Sequence, residues 1–85
     1  MDAVENFRST LSQRLSKYPE NGYYRAGKDQ LAIIEQDIAQ NGSLSQETYD
    51  SITLGVMCAR EVEQIDMSFC EAAYAMLEEV KPKLA

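Results

Sequence analysis

Fourteen carboxylates, two thiols and no histidine set the chemistry open to this 85-residue chain. Ten of the acids (Glu35, Asp37, Glu47, Asp50, Glu61, Glu63, Asp66, Glu71, Glu78 and Glu79) fall in residues 31–80, against one base, Arg60. Paired carboxylates can act as general acid and base or hold calcium. There is no Asp-x-Asp-x-Asp-Gly loop, however, and the acids sit in helical patterns where most point to water. The lack of histidine removes any His-dependent nucleophile, base or phosphorelay step. Cys58 and Cys70 stand apart, outside any Cys-x-x-Cys, so zinc sites of the Cys/His type fail on ligand count. Both cysteines lie on apolar stripes and read as buried, reduced thiols. The expectation is no catalytic residue, no metal and no cofactor.

Asp50-Ser51-Ile52 is the nearest thing to a modification motif. Small acidic four-helix carrier proteins attach a prosthetic arm to the serine of an Asp-Ser-Leu triplet at the start of a helix. Here Ser51 falls inside a helical pattern and isoleucine replaces leucine, which favours an ordinary helical serine and leaves the carrier as an alternative function. Among the tyrosines, helical spacing assigns Tyr24 and Tyr49 to the core. Tyr23, one position off the stripe, is the candidate for surface recognition. Gly55 sits mid-helix, where glycine costs about 1 kcal/mol relative to alanine, and is read as a close helix crossing.

Four helices must position these groups. Asp2 and Glu5 have capping-box spacing, and Val4, Phe7, Leu11, Leu15 and Tyr18 follow at steps of three and four until Pro19 ends the helix. Tyr24, Gly27, Leu31, Ile34 and Ile38 draw the second stripe, which Asn41-Gly42 closes. Ser43 or Ser45 caps a third helix, with Tyr49, Ile52, Val56, Ala59 and Val62 expected inward. Asp66 caps the fourth, with Ser68 and Glu71 spaced as a second capping box, and Phe69, Ala73, Met76, Leu77 and Val80 line its core face until Lys81-Pro82 stops it. The short links predict a single domain over residues 1–85, an all-α, compact antiparallel four-helix fold.

A chain this short buries only roughly 60% of its unfolded surface, too little for an elaborate enclosed site. Residues 1–30 are nearly balanced in charge, so the net charge of −6 comes from the later helices. Such a field repels nucleic acid and anionic membranes and draws basic partners. The opening Met-Asp-Ala-Val-Glu-Asn has no basic segment leading into an apolar one, and the longest apolar run is too short to span a bilayer. The expected location is cytoplasmic.

Three landmarks recur in order: Arg14-Leu15-Ser16-Lys17-Tyr18-Pro19, Gln30-Leu31, and Leu54-Gly55 followed by Glu61 and Asp66. Together they make the chain resemble a family of small helical immunity proteins of the type VI secretion system, over roughly residues 8–75. The best-known member neutralises an effector that destroys NAD(P)+ in rival bacteria. The resemblance implies a cytosolic antidote, not an enzyme, that binds a cognate effector toxin domain and blocks its active site by occlusion. The anchors expected for that partner are Tyr23, Glu61, Glu63, Asp66 and Glu71, an acidic rim around apolar contacts covering about 1,600 Å² in total. Besides the carrier, a structural homodimer pairing through the second helix is the other alternative.

Overall fold

The computed structural model describes residues 2–82. Helix α1 spans Asp2–Lys17, α2 Gly22–Asn41, α3 Gln46–Ser51, α4 Leu54–Met57 and α5 Met67–Val80, with a π-helical turn, Cys58–Val62, continuing α4. The all-α, four-helix expectation holds, with the third helical segment broken into α3 and α4. α1 runs antiparallel to α5, its most extensive partner, and also packs on α2.

The helix ends follow local chemistry. Asn21 caps α2, its side chain accepting from the Tyr23 and Tyr24 amides, and Gly42 closes it at φ 80°, a left-handed geometry that suits glycine. Ser45, not Ser43, caps α3 through the Thr48 amide. At the start of α1 the Asp2 and Glu5 capping box is not formed: Glu5 pairs with Arg8, and the Ala3 amide donates to Glu79 of α5 at 2.9 Å. An acid from the far end of the chain thus serves the first turn of the first helix.

Aromatic rings join three helices at the centre. Phe7 and Phe69 lie 5.4 Å apart between ring centroids, and Tyr24 meets Phe69 edge-on at 5.1 Å. These rings lie against Gly27, where a Cβ would come within 3.2 Å of Phe69 Cζ and 3.3 Å of Leu11 Cδ2. The close crossing is therefore at Gly27. Gly55 is only half-buried, and a Cβ there would meet Leu77 Cδ1 at an ordinary 3.4 Å, so the reading of Gly55 as the tight crossing is corrected.

The third segment departs most from expectation. Ile52 is extended (φ −77°, ψ 123°), which ends α3 and resets the helical phase. Two adjacent β-branched residues, Ile52 and Thr53, have low helix propensity, and an outside acceptor described below captures the freed amides. In the π turn the Glu63 amide bonds the Cys58 carbonyl at 3.0 Å, five residues back. Four-residue steps drift by about 40° in an α-helix; the wider turn keeps them nearly in line. The buried stripe is consequently Leu54, Cys58 and Val62, whereas Val56 and Ala59, expected inward, are exposed.

Candidate protein-binding surface

Asp66 organises one end of the bundle. Its Oδ2 accepts from Arg14 Nε at 2.6 Å and from the Tyr24 hydroxyl at 2.7 Å; its Oδ1 accepts from Arg14 Nη2 at 3.2 Å and from the Phe69 amide at 3.2 Å. The carboxylate thus ties α1 and α2 to the cap of α5. The Arg14 guanidinium above all, then the Tyr24 and Phe69 donors, outweigh burial and lower the Asp66 pKa to about 2. Burial, reinforced by the bond to Asp66, pushes the Tyr24 hydroxyl up to about 12. The two short charge-assisted bonds are strong, and each Asp66 oxygen accepts from two donors.

The other expected anchors fall into two groups. Glu61 and Glu71 are exposed, Glu61 on the π turn and Glu71 on α5 beside a shallow hollow shared with Arg14, Ser68 and Ala75. Glu63 is half-buried and accepts from the Tyr74 hydroxyl, a bond that raises the tyrosine's pKa. Tyr23 is half-buried and packs on the core, as does Tyr49. Glu61, Glu63 and Asp66 belong to one stretch of chain, while Tyr23 and Glu71 lie on other helices. Ser51 is exposed at the last residue of α3, its hydroxyl donating to the Thr48 carbonyl at 2.6 Å. Cys58 and Cys70 are free and buried; burial pushes the Cys58 thiol up to about 12 and Cys70 in the same direction. Among the described residues no three His, Cys, Asp or Glu side chains group to hold a metal ion, and no helix is long and apolar enough to cross a membrane.

Two features escaped the sequence reading. The first is the role of the landmark Gln30, whose Oε1 accepts from the Thr53 and Leu54 amides at 3.0 and 2.8 Å while its Nε2 donates to Thr53 Oγ1 at 2.8 Å. Thr53 makes no cap bond of its own, so a side chain of α2 caps α4. Only the partners of Gln30 reveal this role, and they are distant in sequence. The second is exposed apolar surface: Val56, Ile65 and Met67 are 58%, 66% and 47% exposed. Tyr18, also exposed, lines an open hollow of about 570 Å³ with Ile65, Asp66 and Lys17. Val56 could have been flagged only with the phase reset at Ile52 in hand, and Ile65 only with that of the π turn.

A small helical domain with acidic groups and apolar side chains left in water has the makings of a surface for another protein. The profile of the Tsi6 family matches residues 1–81. The chain belongs to the Tsi6 family. Tsi6 proteins are type VI secretion immunity proteins, a class whose partner is a protein effector. No curated protein and no solved structure matches the chain.

Proposed function

We propose that this chain is the antidote to one cognate effector toxin, an NAD(P)+ glycohydrolase, and that it works by covering the toxin's active site rather than by any reaction of its own. Membership of the Tsi6 family over residues 1–81 is the observation that carries this reading. The surface chemistry supports it. A toxin that handles a dinucleotide needs a basic cleft for the phosphates, and residues 31–80 hold ten acids against one base. Occlusion needs a rigid, preformed surface more than reactive groups, because ordering a flexible surface on binding would subtract from affinity. The producing cell's cytoplasm is where such an antidote acts, since that is where the toxin would otherwise consume NAD(P)+.

The test is co-expression of the effector's catalytic domain, encoded beside this chain's gene, with and without this chain. The expected result is growth and a maintained NAD+ pool only when both are present, together with a stable complex of the purified pair. Protection without complex formation would contradict occlusion. A complex that leaves NAD+ hydrolysis unchanged would do the same.

A further inference from the structure

Residues 53–66 are held at both ends by side chains from other helices. Gln30 of α2 fixes the Thr53 and Leu54 amides at one end, and Arg14 of α1 with Tyr24 of α2 fixes Asp66 at the other. Between these ties Leu54, Cys58 and Val62 are buried at steps of four. The residues offset from them by two positions, Val56, Arg60 and Gln64, therefore line the outward side, with Glu61 and Ile65 on the neighbouring row. Among the described residues, Val56 and Ile65 are the two most exposed of the large apolar side chains. A single exposed valine is unremarkable on any protein. Val56, Ile65 and Met67 fall in one stretch, however, and Tyr18 shares a hollow with Ile65.

The geometry points to residues 53–66 as the recognition element: a preformed ridge whose Val56 and Ile65 dock in an apolar depression on the cognate toxin domain while Glu61 meets basic groups at its rim. This rests on the antidote reading. Charge selects the occupant. Glu35 and Asp66 are neutralised within the fold by Arg8 and Arg14, whereas Glu61, Glu71 and Glu78 have no ion-pair or hydrogen-bond partner among the described side chains. Although Arg60 stands beside Glu61, residues 31–80 hold ten acids against that one base, so a second copy would set two net-negative surfaces against each other across a twofold axis. A basic-rimmed protein gains from the same arrangement. The ties at both ends mean that the ridge is already ordered before the partner arrives, so little ordering is left to oppose binding.

Binding kinetics against the catalytic domain of the neighbouring effector test this, comparing wild type, the double variant Val56→Ser with Ile65→Ser, Glu61→Lys, and Glu47→Lys on α3 as a charge control. The double variant is expected to dissociate about tenfold faster or more, with its melting temperature unchanged because both side chains face water. Glu61→Lys should slow association several-fold at low salt, and Glu47→Lys by less than about twofold. If wild type binds and the double variant dissociates at the wild-type rate, the ridge is not the interface and the antidote reading stands. If wild type does not bind this domain, both fall. Self-association of the free wild type, abolished in the double variant, would make the ridge a dimer contact and overturn the proposal.

Discussion

Replacing Asp66 with alanine removes four hydrogen bonds that join three helices, and the structure allows the cost to be worked out contact by contact. Losing the cap on α5 costs about 1 kcal/mol. The Tyr24 side chain is buried, so its hydroxyl is left without a partner, at about 1–3 kcal/mol. Arg14 is 25% exposed and can turn to water, so the ion pair itself contributes no more than about 1 kcal/mol. The expected loss is roughly 2–5 kcal/mol, a large part of the roughly 4–13 kcal/mol available to a chain of this size. Thermal melts followed by circular dichroism should show a fall of roughly 10–40 °C. Asp66→Asn keeps one acceptor oxygen, enough for the Phe69 amide or the Tyr24 hydroxyl but not both, and should lose about 1–3 kcal/mol.

The same contact sets a pH dependence. The folded pKa of Asp66 is depressed from its ordinary 3.8 to about 2, so its contribution is present in full above the unfolded value and is lost as pH falls through the folded one. That shift is worth about 2 kcal/mol before solvent screening and roughly 1–2 kcal/mol after it. Stability of the wild type should therefore drop between about pH 4 and pH 2 more steeply than that of Asp66→Asn. An Asp66→Ala protein with wild-type melting temperature and wild-type acid sensitivity would refute the reasoning. The carboxylate would then be free for a partner.

Two further substitutions probe the packing and the break in the third segment. Gly27→Ala should be worse than Gly55→Ala in chemical denaturation. Overpacking against buried Phe69 and Leu11, about 1–3 kcal/mol, offset by about 1 kcal/mol of helix propensity, leaves a cost of about 0–2 kcal/mol. Gly55→Ala should be neutral or stabilise by roughly 0.5–1 kcal/mol. Gln30→Ala should cost about 1–2 kcal/mol and speed amide hydrogen exchange across residues 53–66 more than elsewhere, since it leaves two amides without an acceptor.

Periodicity alone located the outer helices. Val4, Phe7 and Leu11, Tyr24, Gly27, Leu31 and Ile34, and Phe69, Ala73, Met76 and Val80 are buried, whereas Leu15, Ile38 and Leu77 at the edges of the stripes are half-buried and Tyr18, expected on the first stripe, is exposed where α1 ends. The third segment misled because its rule changes midway: an α-helix breaks at Ile52 and a π turn follows, and no residue type marks a π turn. Val56 was therefore read inward when it is exposed. The candidate site was legible in part. Glu61 and Glu71 needed only their charge and a helical phase, and both are exposed. Asp66 was visible as a cap, but its links to Arg14 and Tyr24 depend on how α1 and α2 pack, which local spacing does not encode. The same holds for Gln30, and for choosing between Gly27 and Gly55 as the crossing point.

The landmarks through which the sequence resembles immunity proteins gain a physical meaning from these contacts. Arg14 and Asp66 form one tie, Gln30 and the Leu54 amide belong to the other, and Leu31 and Leu54 are buried beside it. These residues fix where residues 53–66 sit; they do not specify what the segment meets. If residues 53–66 are the recognition element proposed above, that choice falls to the side chains turned outward between the ties, Val56, Arg60, Glu61 and Ile65, which are all exposed. A scaffold of this kind can be re-aimed at a different toxin without refolding. Exchanging only these four side chains for those of another family member should therefore transfer toxin preference while keeping the melting temperature. Transfer that instead required changes in α1 or α2 would show that recognition extends to the helices that hold the ridge.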